Sequence, residues 1–126
     1  IGFHGGAMKG PDGNQIPSFE LFLGGNYGDN NVEDSQIGTR IPKVKVPAKL
    51  VPSVVKNIVT HYKDNRKNEN ELFNQFLKRV GLEEITAIAV KAQEIGEAAA
   101  PGSDIYVDWE RQDLYKLERG EGECAV

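Results

Sequence analysis

The sequence predicts an α+β domain in which an antiparallel sheet built from hairpins is covered on one face by two or three helices. Apolar and polar residues alternate with the two-residue period of strands before residue 24, and from Val51 the apolar residues follow the helical period. A chain of 126 residues, 39% hydrophobic and 27% charged, is large enough to form one core of this kind.

The first predicted element is a hairpin. Residues 11–13 read Pro-Asp-Gly, in which proline presets φ and glycine accepts a positive φ, as a tight turn requires. After this turn Phe19, Leu21 and Leu23 alternate with Glu20 and Phe22, so one side of the strand is more apolar than the other. We therefore expect two antiparallel strands on either side of residues 11–13.

Three amphipathic helices are predicted next. The first begins at Val51 with Pro52 in its first turn, where a missing N–H costs no helical bond. Asn68 followed by Glu71 has the spacing of a capping box and predicts the start of the second helix, which Gly81 ends. The inward residues are expected to be Val51, Val54, Val55, Ile58, Val59 and Tyr62, then Leu72, Phe73, Phe76, Leu77 and Val80, then Ile85, Ile88, Ala89, Ala92 and Ile95.

Composition divides the chain into three parts. Residues 1–95 form the domain, and residues 96–103, with three alanines, Pro101 and Gly102, are expected to be a linker. The runs IYVDW and LYKLE predict a β-hairpin extension over residues 104–126.

The stretch from residue 19 to residue 42 contains the candidate cofactor-binding residues. The turn at Gly24, Gly25 and Asn26 lets the backbone approach a ligand, and its N–H groups can form an anion-binding nest. Thr39 adds a hydroxyl, and Arg40 adds a cationic fork suited to a carboxylate or phosphate. A plain hairpin end is the simpler interpretation of the same glycines.

Several classes of function are disfavoured. A net charge of −4 argues against nucleic acid as the main partner, and no apolar run is long enough to span a membrane. The one cysteine, Cys124, allows no internal disulfide or multi-cysteine metal site, which suits a reducing, cytoplasmic location. His4 has no neighbouring ligands, and Asp34 occupies the position at which a calcium loop needs glycine. We therefore assign neither a metal ligand nor a catalytic residue.

Five blocks of sequence occur in an order typical of one family. They are IGFHGG at residues 1–6, FELFLGGN at 19–26, IGTRIP at 37–42, VPAKLVPSVVKNIVTHY at 46–62 and ELFNQFLKRVG at 71–81. Over residues 1–81 the chain resembles the C-terminal part of the sirohaem-dependent, ferredoxin-type nitrite and sulfite reductases. The resemblance implies a ferredoxin-like domain that belongs to a longer reductase.

The resemblance also implies a chemistry. In such enzymes electrons from ferredoxin or a flavoprotein pass through a [4Fe-4S] cluster to sirohaem, a haem-type cofactor, where six electrons reduce nitrite to ammonia or sulfite to sulfide. Gly24, Gly25, Asn26, Thr39 and Arg40 would then form part of the pocket wall around sirohaem. The substrate stays open between nitrite and sulfite.

The family holds its cluster with Cys-x5-Cys and Cys-x3-Cys pairs, just upstream of the segment that resembles IGFHGG. Those four cysteines are absent from this sequence, and no ligand role passes to Cys124. We therefore expect the isolated chain to be an inactive fragment that binds neither cofactor and depends on the remainder of its parent. An absorption spectrum with sirohaem and cluster bands would contradict this expectation.

Two other functions remain open from the residues. One is a non-catalytic α+β module that binds another protein through its tail hairpin or its acidic loop. The other, a nucleotide-phosphate binder using residues 24–28, lacks the spacing of a Walker lysine. Cysteines encoded immediately upstream of Ile1 would favour the reductase over both.

Overall fold

The computed structural model describes residues 1–28 and 35–117. It contains a three-stranded antiparallel sheet of order β1-β2-β3, three α-helices and two short 3-10 helices. The strands are β1 (Gly2–Lys9), β2 (Gln15–Leu23) and β3 (Thr39–Pro47); the α-helices are α1 (Val51–Asn65), α2 (Phe73–Val80) and α3 (Glu83–Glu97); the 3-10 helices are Ala48–Leu50 and Asp104–Tyr106. The predicted α+β class is confirmed.

The predicted first hairpin is confirmed. Strands β1 and β2 pair in an unbroken register, from Gly2 opposite Phe22 to Lys9 opposite Gln15. Gly13 has φ of 83°, the left-handed conformation that glycine adopts without strain. The N–H of Gly10 donates to the Asn14 carbonyl at 2.9 Å and closes the turn.

The sequence analysis missed strand β3. Pro42 and Pro47 argue against a strand, but β3 lies at the edge of the sheet, where a missing N–H on the outer side is tolerated. The alternation is also broken, because the β2–β3 register shifts between Glu20 and Phe22 and Lys43 has φ of 62°. As a result, the apolar period is interrupted in the sequence although Ile41, Val44 and Val46 are all buried.

Two apolar clusters hold the elements together. The larger joins the sheet to the three helices through Leu21, Leu23, Ile41, Val44, Val46, Val54, Ile58, Phe76, Leu77, Ile85, Ala89 and Ala92. The smaller joins β2 to the residues after α3 through Ile16, Ala99, Ile105 and Tyr106. Burial of this apolar surface supplies most of the driving force for folding.

The helices begin and face the core somewhat differently from the prediction. The capping box at Asn68 is wrong, because α2 begins at Phe73 and the side chain of Gln75 accepts the N–H of Leu72 at 2.9 Å. Ile95 was expected to face inward, but it is 56% exposed, and Gly96 packs against Met8 and Pro47 in its place. Leu72 and Val80 are exposed too, so α2 buries mainly Phe76 and Leu77.

Glu71 connects the end of α1 to α2 instead of capping a helix. Its carboxylate accepts two hydrogen bonds from Arg79, both of 2.8 Å, and one from the N–H of Lys67 at 2.9 Å. Arg79 also donates to the Asn65 carbonyl at 3.0 Å, and the Tyr62 hydroxyl donates to the Glu71 carbonyl. The hydrogen bonds from Arg79 and then Lys67 lower the pKa of Glu71 to about 2.

The low pKa of Glu71 predicts a pH dependence of stability. A carboxyl whose pKa falls from 4.5 to about 2 on folding stabilises the protein above pH 4.5, and this stabilisation is lost as the pH falls toward 2. We expect Glu71→Gln to lower stability at neutral pH and to make urea unfolding midpoints less dependent on pH between those values. Glu69→Gln changes an exposed neighbour and serves as the control. An unchanged pH dependence in Glu71→Gln would contradict the assignment.

The segment after α3 packs on the domain without forming the predicted hairpin strands. Residues 104–106 are helical because Gly102 turns the chain with φ of 82° and Ser103 Oγ accepts the N–H of Ile105 at 3.4 Å. One antiparallel bridge, Val107 to Leu114, is all that the described part of the tail shows of the expected hairpin. Residues 118–126, including Cys124, lie outside the described residues.

Tyr106 fixes this tail to the first hairpin. It is 1% exposed, and its hydroxyl donates to the Ala99 carbonyl at 2.9 Å. Burial, with Asp12 adding to the effect, raises the pKa of Tyr106. Because Ala99 is buried as well, the middle of the predicted linker is part of the core. Within residues 1–28 and 35–117 we find no helix that is both long and apolar enough to cross a bilayer.

Candidate functional site

The glycine turn at the end of β2 is held by its own hydrogen bonds. Gly24 and Gly28 have φ of 86° and 78°, which favour glycine. Asn26 and Gln36 exchange backbone hydrogen bonds of 3.0 and 2.9 Å, and the Asn26 side chain accepts the N–H of Gly28 at 3.0 Å. The N–H groups of Asn26 and Gly28 are therefore already paired, and an anion nest here would have to use other donors.

Gly25 and Gly38 lie against each other where the chain leaves β2 and enters β3. A Cβ added to Gly25 would lie 3.4 Å from the backbone nitrogen of Gly38. One added to Gly38 would lie 3.5 Å from the nitrogen of Gly25 and from the carbonyl oxygen of Leu23. These are ordinary van der Waals distances, and neither glycine has a positive φ. A methyl group therefore fits at both positions without moving the two chain segments apart.

Two side-chain amides that the sequence analysis missed bind the carbonyl side of this turn. Asn74 Nδ2, on α2, lies 3.4 Å from the Gly24 oxygen and 3.3 Å from the Gly25 oxygen. Gln36 Nε2 also donates to the Gly24 oxygen. A contact that spans fifty residues leaves no local sequence signal, so only the folded structure identifies Asn74.

A cavity of about 300 Å³ opens between the turn and α2. Its polar lining comes from Gly24, Gln36, Thr39, Asn74 and Lys78, and its apolar lining from Leu23, Ile37, Leu77 and Leu82. Two of the predicted site residues, Gly24 and Thr39, therefore meet at one cavity. The other three predicted site residues, Gly25, Asn26 and Arg40, are not among the described residues that line this cavity.

Arg40 faces away from that cavity. It follows Thr39 in β3, and successive side chains of a strand point to opposite faces. Its Nη1 lies 3.5 Å from each oxygen of the Glu20 carboxylate, at the long limit of a hydrogen bond, and the side chain is 55% exposed. A guanidinium held this loosely keeps most of its donors available to a second carboxylate.

Glu20 also borders a wider depression over β1, of about 550 Å³. Residues 4–9, Gln15, Lys45 and Leu117 form the rest of its lining. Lys45 Nζ donates to the Ala7 carbonyl at 2.7 Å, and a Cβ on Gly6 would meet nothing within 4 Å. Lys9, Lys45 and Glu20 are the charged side chains that line this depression, and Arg40 contacts Glu20 beside it, so its lining carries more positive than negative charge.

The described residues contain no group of three or more histidine, cysteine or acidic side chains placed to hold a metal ion. His4 lines the depression over β1 and lies opposite Glu20 in the register of β1 and β2. A [4Fe-4S] cluster is held by cysteine thiolates, usually four, and the whole sequence has one cysteine. One cysteine therefore does not supply the ligands of such a cluster.

Comparison with known families identifies the domain. The family described as "nitrite and sulphite reductase 4Fe-4S domain" matches residues 1–100. The chain belongs to that family. The match spans all three strands and all three α-helices of the reductase domain, and it ends before Tyr106 and the rest of the tail. The resemblance predicted from the five sequence blocks is thereby confirmed.

No curated protein and no solved structure matches the reductase domain significantly.

Proposed function

We propose that this domain forms part of the cofactor-pocket wall of a reductase that uses sirohaem and a [4Fe-4S] cluster to reduce nitrite to ammonia or sulfite to sulfide with six electrons. Family membership supports the reductase class and the iron–sulfur cofactor in the parent protein. The observation that carries the wall assignment is the half-exposed Arg40, held at 3.5 Å by Glu20 on the basic side of the sheet.

The residues of the domain fit sirohaem better than they fit the cluster. Sirohaem has many peripheral carboxylates, and a guanidinium binds a carboxylate with two parallel hydrogen bonds. Arg40 is the residue that we expect to bind one of these carboxylates, with Lys45 adding positive charge beside it. When bound, sirohaem and the cluster supply the electron transfer, and the residues of this chain bind sirohaem and orient it.

The remaining candidate residues have a separate part in the proposal. Because Thr39 points to the opposite face of β3 from Arg40, the two cannot hold the same carboxylate. In our proposal Gly24, Gly25, Asn26 and Thr39 shape the rim of the wall. The cluster takes its thiolates from other parts of the parent.

The electron donor, ferredoxin or a flavoprotein, belongs to the same proposal. The chain carries a net charge of −4, which would repel an acidic ferredoxin. We therefore propose that the donor docks on the remainder of the parent reductase and that this domain contacts the cofactor side.

Arg40→Ala in the intact reductase tests the wall assignment. We expect sirohaem affinity to fall about tenfold to a hundredfold, because a charge-assisted hydrogen bond contributes roughly 1.5–3 kcal/mol. Sirohaem content per protein, measured by absorption, and turnover with nitrite and with sulfite should both fall, and Arg40→Lys should keep part of each.

Lys56→Ala is the matched control, since it removes one positive charge from the exposed side of α1. If Arg40→Ala retains sirohaem and turnover as fully as Lys56→Ala does, Arg40 is a surface residue and the proposed wall is wrong.

A further inference from the structure

Two side-chain amides from separate parts of the chain meet at the glycine turn. Asn74 on α2 donates to the carbonyls of both Gly24 and Gly25, at 3.4 and 3.3 Å. Gln36, next to the start of β3, donates to the Gly24 carbonyl as well. The Gly24 oxygen therefore accepts from two amides, although each bond from Asn74 is long.

These contacts determine which way the turn presents its donors. In a planar trans peptide the N–H points opposite to the C=O. Because the Gly24 oxygen points toward Asn74, the N–H of Gly25 must point away from α2. The N–H of Asn26 already donates to the Gln36 carbonyl at 3.0 Å. The backbone donor whose direction depends on Asn74 is therefore the N–H of Gly25.

Asn74 is well placed for this role because its helix is rigidly packed. Phe76 and Leu77, two and three residues further along α2, are in the main core. Gly24 has φ of 86°, and glycine can adopt many other backbone conformations. Without the hydrogen bonds from Asn74 and Gln36, the turn could therefore change its conformation. A donor fixed to a packed helix holds a backbone group more accurately than one on a loop.

We propose that Asn74 and Gln36 are positioning residues that fix the Gly24–Gly25 peptides so that the Gly25 N–H faces an anionic group of the cofactor. This inference rests on the proposed function, in which the turn belongs to the sirohaem wall. The two residues act through the glycine backbone and make no contact of their own with the cofactor.

Asn74→Asp in the intact reductase tests the inference, because it keeps the shape of the side chain and replaces the amide donors by a carboxylate that faces two carbonyls. We expect hydrogen exchange at Gly25 and Asn26 to become about tenfold faster, as the loss of roughly 1.4 kcal/mol predicts. Exchange at Phe76 should stay unchanged. Sirohaem should also dissociate several times faster, and Asn74→Gln, which keeps the amide, should recover part of both effects.

Asn57→Asp adds the same charge to the exposed side of α1 and is the control. Exchange at the turn that matches the control would overturn the inference. The inference would also be overturned if Asn74→Asp speeds exchange at Gly25 and Asn26 without changing sirohaem release, while Arg40→Ala does release sirohaem. Faster exchange with sirohaem unaffected by either variant would overturn the wall itself and this inference with it. Should Asn74→Asp fail to fold, Gln36→Glu makes the same test from the loop side.

Discussion

Replacing Phe76 with alanine is expected to destabilise the domain by about 3–5 kcal/mol, the usual cost of removing a fully buried aromatic ring. Phe76 is 0% exposed, and its ring meets Tyr62 edge-on at 5.4 Å and His61 at 5.7 Å. Both partners are on α1, so the ring is a main connection between α1 and α2. The stability is lost because removal of the ring leaves a cavity, which the surrounding core fills only in part.

Urea unfolding followed by circular dichroism measures this loss. Leu72→Ala, which removes an exposed apolar side chain at the start of the same helix, should cost far less. Equal losses in the two variants would show that α2 does not pack against α1 through Phe76 as described.

Replacing Gly10 with alanine is expected to release the tail from the first hairpin. A Cβ at Gly10 would lie 2.2 Å from the hydroxyl oxygen of Tyr106 and 2.8 Å from two of its ring carbons, closer than atoms can approach. The φ of Gly10 is not in the left-handed region, so alanine suits the backbone and the closest conflict is with Tyr106. Overpacking of this kind costs typically about 1–3 kcal/mol.

The single tryptophan of the chain reports on this release. The indole N–H of Trp109 donates to the Ala48 carbonyl at 3.0 Å, and Lys49 lies 4.8 Å from the ring centre. We expect Gly10→Ala to shift Trp109 fluorescence to longer wavelength and to expose residues 104–117 to protease.

Gly6→Ala is the control for the tail experiment, because a Cβ there would meet nothing within 4 Å. Unchanged fluorescence and protease resistance in Gly10→Ala would contradict the packing of Tyr106 on the hairpin turn. The result matters for the extent of the domain, since the family match ends at residue 100 and the packed structure continues beyond it.

Local chemistry made part of the fold predictable. The turn at residues 11–13 and the apolar period from Val51 depend on residues close in sequence, and the hairpin and α1 follow from them. Strand β3 was not predictable in the same way, because its prolines and its bulge are compatible with a strand only at a sheet edge. The predicted start of α2 was wrong, because the Glu71 carboxylate accepts hydrogen bonds from Arg79, eight residues away, and does not form a capping box with Asn68.

The candidate site shows the same limit. Glycines 24 and 25 were identified from the sequence; the positive φ of Gly24 explains the first, whereas the structure leaves room for a side chain at Gly25. Asn74 and Lys45 were missed, because their contacts with Gly25 and Ala7 join residues 49 and 38 positions apart. Nor did the sequence separate Thr39 from Arg40, which follows from the alternation of side chains once β3 is known to be a strand.

Hydrogen exchange of the intact reductase, with and without bound sirohaem, tests the central claim most directly. If this domain forms part of the cofactor wall, bound sirohaem slows exchange in residues 22–26 and 39–41 and leaves exchange on the exposed side of α1 around Lys56 unchanged. Exchange in residues 22–26 and 39–41 that is the same with and without sirohaem would contradict the claim that this domain forms part of the cofactor wall.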